Sequence, residues 1–236
     1  MLASAVIPAF NEARTIADVI APLVGHPLIG EIIVVSDGSS DDTAQCAARA
    51  GARVLELREN CGKATALAVG VDAAHADVIL FIDADVVGLD PAIVTRLVAP
   101  VISGDCEMFV GICDRRVYWL NQLLRYTPII SGERALRRHV WHRVPPAYLR
   151  NFQIEIALNY FAKIAGAQMK HRVMPGLRHV VKEKKRGLWH GLWQRTLMIG
   201  DILTVATRLY VFYNLRLLLL GARALDEPQR LGGRHE

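Results

Sequence analysis

The chain has 236 residues, 52% of them apolar, which allows one sizeable domain plus an appendage, and it carries no internal repeat or low-complexity linker. Its net charge of +5 comes from basic residues clustered in the second half, while the conspicuous acidic loops lie in the first; with no recognisable nucleic-acid module, a nucleic-acid partner is excluded. The four cysteines, Cys46, Cys61, Cys106 and Cys113, form no Cys-x-x-Cys pair, which predicts reduced thiols in a cytoplasmic protein and excludes a zinc site or a disulfide framework.

The N-terminus enters a core strand directly, leaving no room for a cleaved signal peptide. Ala5-Val6-Ile7-Pro8-Ala9-Phe10-Asn11-Glu12 reads as that strand running into a loop, and Thr15 to Val24 has helical apolar spacing. Ile32-Ile33-Val34-Val35 is a second strand, followed by the glycine-containing acidic loop Ser36-Asp37-Gly38-Ser39-Ser40-Asp41-Asp42 and a helix over Thr43 to Ala50. A third strand, Val54 to Leu57, precedes Asn60-Cys61-Gly62-Lys63, which opens a helix through Ala73. Val78-Ile79-Leu80-Phe81-Ile82 is a fourth strand of the fully buried type, and it delivers Asp83-Ala84-Asp85 at its end. Strands alternating with helices at this spacing predict a parallel, doubly wound α/β sheet, whose ligands bind outside the carboxyl ends of the strands. The loops at Asn11, Asp37 and Asp83 all fall there. Two carboxylates at one strand end suit a hard divalent cation, magnesium or manganese, or else a solvated turn.

Four motifs in order, Pro8-Ala9-Phe10-Asn11-Glu12, Asp37-Gly38-Ser39-Ser40-Asp41-Asp42-Thr43, Asn60-x-Gly62-Lys63-x-x-Ala66-Leu67 and Asp83-Ala84-Asp85, resemble the nucleotide-sugar glycosyltransferases of the GT-A fold, family 2 type. No Gly-x-Gly-x-x-Gly follows the first strand and no phosphate-binding loop is present, which disfavours a dehydrogenase or a nucleotide hydrolase. The resemblance implies a GT-A (Rossmann-like), mostly parallel sheet flanked by helices. It also implies roles for individual residues. Pro8, Ala9, Phe10, Glu12, Asp37, Lys63, Asp83 and Ala84 would line the nucleotide sugar, with Asp37 toward the base, Glu12 and Asp83 near the ribose, and Lys63 as a point charge. Asp85 would ligate the metal. Asp41 and Asp42 read instead as acidic groups ahead of a helix N-terminus. A UDP sugar is favoured by the resemblance, with a GDP sugar as the alternative.

In the second half, Ser131-Gly132-Glu133-Arg134-Ala135-Leu136-Arg137-Arg138 resembles the family segment in which a glycine turn lies under the sugar and an Ala-Leu-Arg-Arg run opens a helix. Gly132 and Glu133 are thereby placed at the acceptor or donor sugar. Glu155, in Phe152-Gln153-Ile154-Glu155-Ile156-Ala157-Leu158, matches the position of the family's general base, but the following residue is Ile156 where a second acid is common. Burial of a carboxyl among apolar groups favours its use as a base; an Asp or Glu elsewhere is the competing assignment. His179 matches a histidine that serves as a further metal ligand, or else is a surface residue of a basic run. Lys182, Lys185 and Arg186 beyond it would cover the diphosphate or face anionic lipid.

These readings divide the chain into a catalytic domain over 1–186, with a nucleotide-sugar half over 1–100 and an acceptor half over 101–186, and an amphipathic helical tail over 187–236. Within the tail, Asp201, Thr204, Arg208, Arg216 and Arg223 share one helical face in an otherwise apolar segment. That stripe argues for a helix lying on the cytoplasmic face of a membrane, ahead of a homodimer interface and of a true span; an ordinary helix packed on the catalytic domain is the remaining reading. The expected activity is metal-dependent transfer of a sugar to a membrane-linked acceptor such as a polyprenyl phosphate, with inversion. The alternatives are a soluble phosphorylated acceptor such as phosphoglycerate, whose GT-A enzymes retain configuration, and a catalytically weak scaffold.

Overall fold

In a computed structural model, residues 1–114, 131–148 and 153–179, together with Thr207, Leu209 and Val211, are described. The basic residues Lys182, Lys185 and Arg186 and the polar stripe of the tail lie outside them.

The described residues build a seven-stranded sheet in the order β3-β2-β1-β4-β7-β6-β8. The strands are β1 (Ala3–Ala9), β2 (Ile29–Asp37), β3 (Arg53–Leu57), β4 (Val78–Phe81), β6 (Met108–Cys113), β7 (Arg134–Arg137) and β8 (Met169–Met174). The first four run parallel, β7 is antiparallel to both neighbours, and β8 runs parallel to β6. Helices α1 (Ile16–Ile20), α2 (Thr43–Arg49), α3 (Lys63–Ala73), α4 (Pro91–Ile102), α5 (Arg138–His142) and α6 (Gln153–Ile164) pack around it. Two clusters of buried side chains, one centred on Ile7, Val34 and Leu80 and the other on Val6, Ile33 and Ile79, take alternate residues of the same strands. That is why these strands are apolar at every position: a parallel sheet covered on both faces has no solvent side.

Local chemistry ends the elements where the site needs them. Asp90 caps α4 by accepting from Ile93 N at 2.7 Å, with Pro91 in the first turn, where its missing N–H costs nothing. Asp41 does the equivalent ahead of α2, accepting from Thr43 N at 3.1 Å, as expected of acidic groups before a helix. One expectation fails locally. Ala135, Leu136 and Arg137 do not open a helix; they form β7, and the helix begins only at Arg138. Pairing with both β4 and β6 outweighs the helical preference of Ala, Leu and Arg.

Candidate active site

The chain leaves β1 for β2 on one side and reaches β4 on the other, so the carboxyl ends of β1 and β4 border the crevice at which doubly wound sheets bind ligands. From β4 the backbone passes through Asp83-Ala84-Asp85 into β5 (Val86–Val87), which pairs antiparallel with β9 (Arg178–His179). Val86 is registered opposite His179, and this ribbon brings the imidazole to Asp85 although 94 residues separate them. Asp83, Asp85 and His179 each offer a ligand atom within 4.8 Å of the others. Two carboxylates and an imidazole on a half-exposed surface form an oxygen-rich donor set that suits manganese or magnesium and leaves coordination positions for water and phosphate.

Charges around this set are arranged in pairs. Lys63, in the first turn of α3, places Nζ 2.8 Å from Asp83 Oδ1 and 2.8 Å from Glu155 Oε1. Burial disfavours its ammonium, but the two carboxylates outweigh that and raise its pKa, so it stays charged. His179 donates or accepts at Asp85 Oδ1 through Nδ1 at 3.3 Å, and its Nε2 lies 3.4 Å from Glu133 Oε1. The Asp85 hydrogen bond, helped by the charges of Glu133, Asp83 and Asp85 against the cost of burial, raises its pKa to about 9. Glu133 is fully buried, and that burial, with the nearby charge of Asp83, pushes its carboxyl upward; His179, Lys63 and the Ser131 hydrogen bond oppose the shift.

Gly132 explains how Asp83 and the β7 turn approach so closely. A Cβ at residue 132 would overlap the Asp83 carboxyl. Just after it, buried Arg134 donates through Nε to Ser131 O at 3.2 Å and through Nη1 to Asn159 Oδ1 at 3.2 Å and Glu155 O at 3.4 Å, fastening β7 to α6. Burial lowers the Arg134 pKa, and three surrounding carboxylates counter it. Glu155 is 4% exposed, and its Oε2 has no hydrogen-bond partner among the described residues. Expected as a base in an apolar stretch, Glu155 meets the site as the anchor of Lys63.

The nucleotide-side residues form a separate rim. Asp37, 3% exposed, accepts from Cys61 N at 2.7 Å and Gly62 N at 2.8 Å, so it shapes the loop that delivers Lys63. Gly38, at φ +65°, lies against the backbone of Glu59 and Asn60, where no side chain would fit. Asn11, at φ 55°, accepts from Ser40 N at 2.8 Å, and Glu12 N donates to Thr43 Oγ1 at 2.8 Å, locking the first loop to the second. Pro8 and Ala9 close β1 inside the core, Ala84 is buried between the two aspartates, and Phe10 is 45% exposed on the rim. Arg134, the Lys63 bridge and the Glu133–His179 contact went unread in the sequence. An Arg immediately after Gly-Glu and before an apolar pair was the one available hint.

The chain is similar to glucosyl-3-phosphoglycerate synthase of Mycobacterium tuberculosis, at 39% identity over 123 residues, covering 48% of this chain and 38% of the relative. A crystal structure of that enzyme with Mn2+, uridine-diphosphate-glucose and phosphoglyceric acid superposes with a TM-score of 0.70 at 26% identity, over 86% of this chain and 79% of that one. Dodecaprenyl-phosphate galacturonate synthase of Rhizobium johnstonii is 30% identical over 118 residues, 46% of this chain and 35% of the relative. The aligned stretches thus span about two fifths or less of these two curated relatives' own length. The model of glycosyl transferase family 2 matches residues 4–164, and on that match and this GT-A architecture the chain belongs to glycosyl transferase family 2.

Proposed function

We propose that the protein is a metal-dependent glycosyltransferase that takes a hexose from a UDP sugar and passes it to a small phosphorylated hydroxy acid of the phosphoglycerate type. The observation that carries this reading is the convergence of Asp83, Asp85 and His179 at the crevice, with Gly132 and Glu133 on one side and the Lys63 bridge on the other. The likeness to an enzyme solved with Mn2+, UDP-glucose and phosphoglyceric acid supports the choice of donor, ion and acceptor class. Asp83, Asp85 and His179 would hold the ion, which supplies Lewis-acid stabilisation of the charge that grows on the departing diphosphate. The chain's own residues do the remaining work. Asp37 and the Gly38 turn shape the loop against which the base would rest, and Phe10 offers a half-exposed ring at its rim.

Lys63 would carry positive charge next to the ribose side of the site while keeping Asp83 in place. Glu155 is spoken for by that lysine at 2.8 Å, an arrangement better suited to positioning than to taking a proton from an acceptor. Retention is the outcome we propose, by front-face displacement. The bond from the acceptor oxygen to the anomeric carbon would form on the side from which the diphosphate leaves, and the bond to the diphosphate would break. The acceptor's proton would pass to the departing diphosphate oxygen, so that no enzymic base or nucleophile is required. We place the catalytic domain at 1–186, with its donor half at 1–100 and acceptor half at 101–186, and Lys182, Lys185 and Arg186 as cover for the diphosphate.

The second reading, a lipid-phosphate acceptor with membrane attachment through 187–236, is favoured by the likeness to the dodecaprenyl-phosphate enzyme. Against it, Leu209 is fully buried in the second core cluster, which places this one residue against the catalytic domain. Among the described residues no helix is long and apolar enough to cross a membrane. Incubating the full chain with UDP-glucose, Mn2+ and either 3-phosphoglycerate or a polyprenyl phosphate decides between the two. Transfer to 3-phosphoglycerate with the anomeric proton signal of the donor's configuration is expected; transfer to the lipid alone, or an inverted product, contradicts the proposal.

A further inference from the structure

We propose that Glu133 is a positioning residue that fixes the tautomer of His179, keeping the proton on Nε2 so that the lone pair of Nδ1 faces Asp85 and the ion. The inference rests on the metal reading above and deepens it. His179 has a carboxyl group at each end of its ring, Asp85 Oδ1 at 3.3 Å from Nδ1 and Glu133 Oε1 at 3.4 Å from Nε2. A neutral imidazole has one N–H and one lone pair, so the two ends cannot serve alike. Asp85 belongs to the candidate ion set, and the nitrogen beside it is the one that must be free of its proton when an ion is held. The other nitrogen then needs an acceptor, and Glu133 Oε1 is in place.

The state of Glu133 argues the same way from its own side. The residue is fully buried, and Oε1 has no hydrogen-bond partner among the described residues. Oε2 is already occupied by Ser131 Oγ at 2.9 Å and Cys113 Sγ at 3.3 Å. A buried oxygen without a donor is costly, and His179 Nε2–H is the group that can supply one after a small closure of the 3.4 Å gap. The role does not depend on the charge of Glu133. The single hydroxyl proton of Ser131 has two oxygen neighbours, Gly111 O and Glu133 Oε2. When it serves Gly111, a proton on Oε2 can serve Ser131, and Oε1 is an acceptor in either case. Carboxyl groups that orient a ligating histidine in this way typically carry a 10–100-fold effect on metal affinity, to order of magnitude.

The test is titration of Mn2+ into the full chain with UDP present, with free Mn2+ read by electron paramagnetic resonance. Glu133→Leu removes the acceptor and is expected to weaken Mn2+ binding by roughly 10–100-fold. Glu133→Gln, whose amide oxygen still accepts at Oε1 and whose NH2 can donate to Ser131, is expected to stay within about threefold of the native protein. Unchanged affinity in Glu133→Leu, or equal losses in both variants, overturns the proposal. Asp85→Ala in the same titration separates the two ideas: if it binds Mn2+ like the native protein, the metal reading itself has failed; if it alone loses binding, only the role of Glu133 has. Should Glu133→Leu fail to fold, nitrogen-15 spectra of the native protein with Mg2+ and UDP decide the matter. A proton on Nε2 of His179 is expected, and a proton on Nδ1 overturns the assignment.

Discussion

The two halves of the sheet solve different problems. Over β1 to β4 the strands are parallel and the loops at their ends are tied by backbone N–H groups donating to a few side chains: Cys61 and Gly62 to Asp37, Ser40 to Asn11, Glu12 to Thr43. Over β6 to β8 one antiparallel strand is wedged in, and buried charged side chains make the connections: Lys63 to Glu155, Arg134 to Asn159, Glu133 to His179. The first half is a scaffold of loop shapes, tolerant of side-chain exchange at the donors, which bind through backbone, and dependent on the acceptors Asp37, Asn11 and Thr43. The second is a set of charges that hold one another in place. Removing one partner there leaves another uncompensated in a low-dielectric setting.

The contrast is broken most severely at its joint, Lys63, the residue that reaches from the first half into the second. Lys63→Met leaves Glu155 buried without its cation, and a loss of about 3 kcal/mol in unfolding free energy is expected by urea denaturation. Adding Glu155→Gln should recover part of that loss; strict additivity of the two changes would show that the bridge does not couple the halves. Next in size, Gly132→Ala should move the Asp83 carboxyl and lower kcat/KM by roughly 100-fold, with far less effect on stability than Lys63→Met, because misplacing a site group costs rate first. Wild-type kinetics in that variant would mean that Asp83 can be displaced without consequence.

A smaller effect sharpens the electrostatic side. Because the His179 pKa is raised to about 9 before any ion arrives, an ion must displace a proton from it. Mn2+ affinity should therefore rise with pH, by up to about tenfold per unit between pH 6 and 8, and flatten above the raised value. Affinity that is level across that range would remove His179 from the ligand set. The smallest effect lies at the scaffold's edge. Burial raises the Glu31 pKa, but bonds from Ser4 and His75 overcome it and leave the carboxyl below its ordinary value. A lowered folded pKa contributes stability above the unfolded carboxylate range that fades as pH falls through the folded value. Glu31→Gln should thus cost less than about 1 kcal/mol at pH 7, and nothing once the pH is below that value.

The same contrast governs how much of the molecule was legible beforehand. The β-branched runs at Ile32 to Val35 and Val78 to Ile82 announce strands because burial on both faces demands apolar residues throughout, and α3 begins at Lys63 and ends at Ala73 as its pattern implies. Asp85 and His179 were legible as family metal positions and Asp83 as a ribose contact; the β5–β9 ribbon is what brings His179 to both aspartates. The β7 strand was not legible, since its local preference is helical and its pairing partners are distant in sequence. Nor were the bridges: Lys63 and Glu155 stand 92 residues apart, and nothing local in either predicts a buried ion pair. Glu133 was read as a sugar contact because its turn has that place in the family, while its full burial against His179 depends on the fold.

The central claim is that Asp83, Asp85 and His179 hold a divalent ion on which nucleotide-sugar binding depends. Calorimetric titration of UDP-glucose into the full chain, with and without Mn2+ and in the native protein and Asp85→Ala, tests it most directly. Binding should require Mn2+ in the native protein and be absent in Asp85→Ala. Equal binding with and without Mn2+, or binding unaltered by Asp85→Ala, would contradict it.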